Sequence, residues 1–226
     1  MLISSPPTSS KLSKTPKFHI TIPLTNISPY FRILCGIKVD SLSSLSLAID
    51  TLHSLYQIPH IVITSVTFPS ASSTEAEEML CAGSSITSTG ASRKFFLPVP
   101  IIPGVFVGTG DMFSALTLAR FREQAELSGL LDTESWLSDD SVKVTALPLA
   151  RALEQVLGSM HRVLERTRVV RDRKRAAMAL EEDKKMDNVR MMKVSELQLV
   201  KGQRDLLQPG NDYKALPWHM DTNEVN

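Results

Sequence analysis

The chain has 226 residues, enough for one large domain or two small ones, with 42% hydrophobic and 22% charged residues, as in ordinary globular proteins. Its 25 basic and 24 acidic side chains nearly cancel, which excludes a global electrostatic attraction to nucleic acid or to a membrane surface. Two cysteines are too few for a zinc site, and Cys35 and Cys81 are too distant for a CxxC redox pair. We therefore expect a reduced, cytoplasmic protein with no nucleic-acid or membrane partner.

The first 39 residues contain no acidic side chain and are rich in serine and proline. This composition resembles that of a transit peptide only weakly, because the Arg-rich amphipathic pattern is missing. Its prolines also exclude a long helix. We expect residues 1–33 to be a disordered or unrelated leader, with the disorder covering residues 1 to about 24.

Four elements are predicted in the first half of the chain. Residues 43–56 have leucine and isoleucine at helical spacing, with serines available as N-caps. The β-branched run HIVITSV (60–66) predicts a buried strand. Residues 69–92 are rich in Ser, Thr and Gly and predict a loop or weak hairpin. The following RKFFLPVP (93–100) predicts an edge strand, because its prolines exclude a central position.

The second half predicts a strand, GVFVGTG (104–110), beside HIVITSV at the centre of the sheet. A helix over 111–126 follows, and it is apolar nearly all round, which predicts that it is buried. A long helix is predicted over 149–170. This order of elements indicates an α/β layered domain.

The stretch 162–193 contains eleven basic and six acidic residues. One interpretation is a basic helix that binds nucleic acid. We favour a solvated helical face plus a charged insertion at about 171–193, because the acids are interleaved and no aromatic side chain is available for stacking. Residues 210–226 form a tail.

A glycine-rich turn, Gly108-Thr109-Gly110-Asp111, lies between the predicted strand and helix. Backbone N–H groups at such a helix start, together with the helix dipole and missing Cβ atoms, suit a phosphate. A carboxylate beside phosphate is useful if it accepts a proton from an attacking alcohol. The alternative is that Asp111 only caps the helix, and the four residues alone favour that alternative.

The wider sequence reverses that preference. FVGTGDMFSALTLA (106–119) resembles the C-terminal signature of pyridoxal kinases, a branch of the ribokinase-like superfamily. Three other stretches resemble the same family in order and spacing, over about residues 34–209. They are LCGIKVDSLSSLSLAIDTLHSLYQIPHIVITSV (34–66), MHRVLERT (160–167) and SELQLVKGQRDLLQP (195–209), the last resembling a closing strand and tail.

The resemblance implies an incomplete three-layer α/β/α ribokinase-like sandwich that phosphorylates the 5′-hydroxyl of pyridoxal with ATP. It also implies Mg²⁺ as the divalent metal. Whether K⁺ is required and whether the protein forms a homodimer stay open. Carried over by position, it makes Asp111 the catalytic base. It makes the following residues ATP-binding: Gly108, Thr109 and Gly110 as the anion hole, Thr64 and Ser65 as contacts, and Val107, Phe113 and Leu164 as apolar neighbours. Core packing for the apolar three, and satisfaction of a strand end for Thr64 and Ser65, remain alternatives.

The chain also departs from the family. The family's N-terminal half has no counterpart, and its PNxxE segment is replaced by TNISPYFR (25–32), which lacks a carboxylate and contains an added proline. We expect a truncated or incorrectly assembled product whose isolated chain is inactive. Two other functions stay open: a non-catalytic remnant of the ATP site that pairs with another subunit, and a related sugar or hydroxymethylpyrimidine kinase.

Overall fold

The computed structural model describes residues 18–21, 28–68, 78–179 and 192–218. Five strands form one sheet in the order β1-β2-β3-β4-β5. The strands are β1 Phe18–Thr21, β2 His60–Val66, β3 Glu78–Ile86, β4 Ser92–Pro100 and β5 Leu216–Pro217. The pair β1–β2 is parallel, and every later pair is antiparallel.

Helices cover both faces of this sheet. They are α1 Ser28–Cys35, α2 Leu42–Tyr56, α3 Thr109–Leu127, α4 Pro148–Ala179 and α5 Gln203–Leu207, with short 3-10 turns at Glu134–Trp136 and Val144–Ala146. The helices α1 and α2 share one apolar core with the sheet, and α3 and α4 share the other. The predicted three-layer α/β/α arrangement is therefore confirmed.

Alternation along β2 explains the two cores. Ile61 and Ile63 pack in the α2 core, whereas Val62 packs in the α3–α4 core, and all three are fully buried. A strand covered on both faces has no polar side, which is why this run is apolar without interruption. The predicted strand over 60–66 and the predicted helix over 43–56 are confirmed within one residue.

The prediction of a loop or weak hairpin is wrong for residues 78–86, which form a nine-residue strand paired with β4 along its whole length. The sequence did not indicate this strand because Gly83, Ser84 and Ser85 are not typical strand residues. In the structure each of these three has a packing or hydrogen-bond partner. The Phe95 ring lies against Gly83, where a Cβ would overlap it. The hydroxyls of Ser84 and Ser85 bond to buried histidines. The predicted edge position of β4 is correct except at two residues, which pair with β5.

The predicted central strand GVFVGTG is not a strand. Only Val107 pairs, in a single parallel bridge with Glu196, and the neighbours of β2 are β1 and β3. Positive φ angles at Gly104 (+121°) and Gly108 (+91°) interrupt the extended chain on both sides of the bridge. The closing strand expected within 195–209 reduces to the same bridge, followed by turns and α5.

The prediction that the helix after the glycine turn is buried all round is also wrong. In α3 one stripe is buried, including Met112, Phe113 and Phe121, whereas Leu118 is 53% exposed. The predicted helix over 149–170 is present and continues to Ala179. Residues 171–179 of the expected insertion are thus helical, and residues 180–191 lie outside the described residues.

The expected disorder of the leader is corrected at Phe18–Thr21, because these four residues pair with His60–Ile63 of β2. The later part of the leader contributes α1, whose Phe31 is fully buried in the α2 core. Residues 1–17 and 22–27 lie outside the described residues, as do the last eight of the tail. Among the helices in the described ranges, none is long and apolar enough to cross a membrane.

Candidate functional site

A cavity of about 260 Å³ lies between the sheet, the start of α3 and the middle of α4. A smaller cavity of about 80 Å³ continues from it toward the sheet, and Ser65, Thr109 and Met160 line both. The walls are largely apolar, with a few polar groups, which is the usual composition of a small-molecule site. The larger cavity is lined by Ser65, Met79, Val99, Pro100, Ile101, Ile102, Phe106, Thr109, Leu157, Met160, His161, Leu164 and Tyr213.

The glycine turn brings the N-terminus of α3 to this cavity. Gly108 is the N-cap, with φ +91° and ψ 9°, and Thr109 and Gly110 are the first two helical residues. Both of these residues line the smaller cavity. The first N–H groups of an α-helix have no intrahelical acceptor, and the helix dipole adds positive potential there. This end of the cavity can therefore bind an anion such as phosphate.

Asp111 is the third residue of α3, so it is not the N-cap. The N-cap is Gly108, and the interpretation of Asp111 as the N-capping residue is therefore wrong. The carboxylate is exposed and lies one residue beyond the two that line the cavity. Asp111 lines neither cavity.

Thr64 and Ser65 reach the cavity through a bulge in β2. The register with β3 shifts between Ile63 and Val66, and Ser65 has φ +55°. A left-handed residue other than glycine costs free energy, and such residues cluster at binding sites. Both side chains line the smaller cavity. They were expected at the end of a strand, but they lie inside β2, where the bulge redirects them.

The structure adds site residues that the sequence did not indicate. Met79 and Cys81 come from β3, which was predicted as a loop. Burial raises the pKa of the Cys81 thiol to about 12, so this group remains protonated at neutral pH. Tyr213 comes from the tail and bonds to His161 of α4. No local pattern marks Tyr213, because its contacts span about fifty residues.

Arg171 of α4 supports the segment that enters the glycine turn. Its guanidinium lies 5.1 Å from the centre of the Phe106 ring and donates to the Pro103 carbonyl oxygen at 3.1 Å. A Cβ at Gly104 would overlap this guanidinium. Because Phe106 lines the larger cavity, Arg171 holds one of its walls in place.

Most of the predicted ATP-site residues are thus brought together around the two cavities. Five of them line the smaller cavity: Thr64, Ser65, Thr109, Gly110 and Phe113. Leu164 lines the larger one. Val107 and Gly108 do not line either cavity, and Phe106 takes the apolar position beside the turn. Within the described ranges, no group of three His, Cys, Asp or Glu side chains could hold a metal ion.

Two curated proteins of Schizosaccharomyces pombe, both with provisional names as pyridoxal kinases, are similar to this chain. One is 31% identical over 136 residues, covering 60% of this chain and 38% of the relative. The other is 32% identical over 188 residues, covering 81% of this chain and 51% of the relative. This chain therefore spans about half the length, or less, of the curated relatives it matches. No family model matches it.

Solved structures show the same fold. Pyridoxal kinase from Leishmania donovani, in complex with ADP and pyridoxamine, superposes with a TM-score of 0.55 at 19% identity. That match covers 84% of this chain and 49% of the other. PdxK from Plasmodium falciparum, with AMP-PNP and PL, gives a TM-score of 0.50 at 16% identity, covering 85% of this chain and 48% of the other.

The architecture is that of an incomplete ribokinase-like α/β fold. The resemblance to the pyridoxal kinase family is confirmed by the relatives in sequence and by the neighbours in structure.

Proposed function

We propose that this chain provides the nucleotide site of a pyridoxal kinase, which transfers the γ-phosphoryl group of ATP to the 5′-hydroxyl of pyridoxal. One observation carries the proposal. The helix N-terminus at Thr109 and Gly110, the bulge at Ser65 and the apolar wall of α4 meet in the smaller cavity, which shares Ser65, Thr109 and Met160 with the larger one. This arrangement pairs an anion-binding end with an apolar end, as a nucleotide requires.

The phosphates belong at Gly108, Thr109 and Gly110, where backbone N–H groups and the helix dipole favour negative charge. Thr64 and Ser65 contact the nucleotide from β2, and Phe113 and Leu164 contact it through apolar surface. Val107 supports the turn from outside the cavity, since its N–H donates to the Ser195 carbonyl oxygen at 3.0 Å. Positioning and charge neutralisation contribute most to phosphoryl transfer.

Asp111 is the proposed base for the pyridoxal hydroxyl. Two observations support this proposal: Asp111 directly follows the proposed phosphate-binding residues, and it is exposed to an approaching alcohol. Mg²⁺ would arrive with the triphosphate, because the described residues offer no cluster of ligands that could hold it alone. When bound, the ion would neutralise phosphate charge as the new bond forms.

Catalysis by the isolated chain is less favoured than nucleotide binding. The chain spans about half of its relatives, so groups that hold pyridoxal in a whole kinase can lie outside it. The second candidate function is therefore an ATP-binding subunit without activity of its own.

The test combines ATP binding, measured by titration calorimetry, with a coupled ADP-release assay on the chain purified from residue 1. A pyridoxal kinase binds ATP and releases ADP only when pyridoxal is present. An ATP-binding subunit binds ATP and releases none. A sugar or hydroxymethylpyrimidine that replaces pyridoxal with greater activity would identify a related kinase. Failure to bind ATP at all would contradict the proposal.

A further inference from the structure

We propose that Tyr213, held by His161, is a specificity-determining residue that contacts the base of the bound nucleotide. The inference rests on the proposed nucleotide function and deepens it. Tyr213 and His161 line the larger cavity, Gly110 lines the smaller one, and Thr109 lines both and so lies between the two ends. Tyr213 lines only the larger cavity, so a nucleotide with its phosphates at the helix N-terminus would place its base toward the tail.

The tail reaches this position because residues 208–217, which we call the strap, are fastened to α4. Arg162 donates to the Gln208 carbonyl oxygen at 3.2 Å and to the Asp212 carboxylate at 3.3 Å. The Ala215 N–H donates to the Glu154 carboxylate at 2.9 Å in a buried position. The strap then ends in β5, which pairs with β4. It is therefore part of the folded domain.

Close packing at one point fixes the path of the strap over α4. A Cβ built at Gly158 would lie 3.3 Å from the backbone nitrogen and oxygen of Gly210. A glycine in the middle of a helix costs about 1 kcal/mol relative to alanine, so its presence indicates a packing requirement. Here the missing side chain lets the strap approach α4 three residues before Tyr213.

Tyr213 and His161 form a hydrogen-bonded aromatic pair. The Tyr213 hydroxyl lies 2.9 Å from His161 Nδ1, and the ring centres are 6.0 Å apart. Tyr213 is only 7% exposed. Burial, with a smaller contribution from Asp212, raises the pKa of Tyr213 to about 12, so its hydroxyl remains a neutral donor at physiological pH. This bond occupies Nδ1 and orients the imidazole ring, which leaves Nε2 to bond with a second polar group.

This chemistry suits a planar heterocycle. Aromatic faces stack on bases of any sequence, and an oriented imidazole nitrogen matches a polar atom at the edge of a base. The apolar wall of Ile101, Phe106 and Leu164 completes the site. A phosphate group has no planar face to stack on Tyr213, and its proposed position is the helix N-terminus at the other end. Removing the pair should therefore weaken binding of a nucleotide without weakening binding of a bare polyphosphate.

The experiment measures dissociation constants of ATP and of inorganic tripolyphosphate by titration calorimetry on the full chain. Tyr213→Ala should weaken ATP binding by about tenfold or more, in line with the loss of one base–aromatic stack. Tyr213→Phe and His161→Gln should each weaken it by a smaller factor. Because they remove the same hydrogen bond, the double variant should lose little more than either. Tripolyphosphate affinity should stay unchanged throughout.

The matched control is Asn211→Ala, which alters an exposed strap residue two positions before Tyr213 and should leave both affinities unchanged. Unchanged ATP affinity in Tyr213→Ala would overturn the inference. An equal loss of tripolyphosphate affinity in Tyr213→Ala would also overturn the inference, because the substitution would then act only on folding. Tyr213→Phe keeps the ring packing and so tests the hydrogen bond in a chain that still folds. If the unaltered chain binds tripolyphosphate but not ATP, or binds neither, the proposed function fails and this inference fails with it.

Discussion

Asp111 differs from its neighbours in the glycine turn in both chemistry and position. Thr109 and Gly110 line the cavity with neutral groups, whereas Asp111 places an exposed carboxylate at the third helical position. A carboxylate there stabilises the helix by about 0.3–1 kcal/mol through the dipole. It also repels a bound triphosphate. Stabilisation of the helix and repulsion of the triphosphate predict different results when Asp111 is substituted.

Asp111→Asn should leave ATP affinity unchanged or increase it, because the repulsion of phosphate is removed. Turnover should fall by a factor on the order of a hundred to ten thousand if the carboxylate is the base. The measurements are ATP affinity and the rate of pyridoxal phosphorylation, with the remaining part of the domain supplied from a relative if the chain alone is inactive. A purely structural carboxylate would change stability by less than about 1 kcal/mol and leave turnover near normal.

Gly104 should be sensitive to substitution. Its φ is +121°, and a Cβ would overlap the buried guanidinium of Arg171, which contacts Phe106 in the cavity wall. We expect Gly104→Ala to lower the free energy of unfolding by about 2–4 kcal/mol, from backbone strain plus the lost cation–π contact. Urea unfolding measures the change.

Gly90→Ala is the matched control for that substitution. Gly90 also has a positive φ, +87°, but nothing lies within 4 Å of a Cβ there. Strain alone should then cost about 1–2 kcal/mol. Equal losses at positions 90 and 104 would show that the Arg171 contact contributes no stability.

At the scale of elements, two buried histidines join the strands β2 and β3 to their surroundings. His60 bonds to the Ser85 hydroxyl at 2.9 Å and to the Ser135 carbonyl oxygen at 2.7 Å. His53 of α2 bonds to the Ser84 hydroxyl at 2.8 Å. Burial lowers the pKa of both histidines, and that of His60 falls from 6.5 to about 4. Both side chains are therefore neutral in the folded protein at pH 7.

This linkage predicts acid sensitivity. The contribution of His60 is fully present above the unfolded pKa of 6.5 and is lost as the pH falls from 6.5 toward 4, because only the unfolded chain binds the proton easily in that window. The loss should reach about 3 kcal/mol. His60→Gln should be less stable than the unaltered chain at pH 7.5, with a difference that shrinks by pH 4.5. A difference independent of pH, measured by urea unfolding, would contradict the assignment.

The elements also show which structural signals the sequence contained. The periodicity of α2 and the apolar run of β2 were sufficient, because each element buries its own apolar pattern. The strand β3 was missed because Gly83, Ser84 and Ser85 are not typical strand residues. They fit in the strand because residues from elsewhere in the chain contact them: the Phe95 ring packs on Gly83, and two histidines bond to the serine hydroxyls. Local propensity contains no information about such distant partners.

The site residues also divide into those that a local sequence pattern indicated and those that depend on distant parts of the chain. Resemblance placed Thr64, Ser65, Thr109 and Gly110, all of which line the smaller cavity. It did not indicate Tyr213, because its position depends on the strap. The apolar run at 104–107 was interpreted as a central strand. Glycines with positive φ at both ends interrupt the extended backbone, so the run forms a single β-bridge instead. Apolar composition predicts burial better than it predicts a pairing partner.

At the scale of the whole molecule, one edge of the sheet is formed by β1, which has no outer partner strand among the residues that the structure describes. Within the described residues β1 pairs only with β2, so the outer backbone groups of Phe18–Thr21 face no strand. The relatives are about twice as long as the matched region, and a kinase of full length has more chain to cover such an edge. In the isolated chain, an open edge favours pairing with another copy.

We therefore expect the isolated chain to self-associate through β1 in a concentration-dependent way. In a parallel pair, successive residues direct their N–H groups to opposite sides of the strand. Of His19 and Ile20, one therefore directs its N–H group toward β2 and the other toward the open edge. Proline removes the N–H group. One of His19→Pro and Ile20→Pro should reduce association with little change in stability, and the other should break pairing with β2 and lower stability by about 1 kcal/mol or more. Sedimentation and urea unfolding separate the two effects. A chain that stays monomeric at all concentrations, or two prolines with identical effects, would show that β1 is not the associating edge.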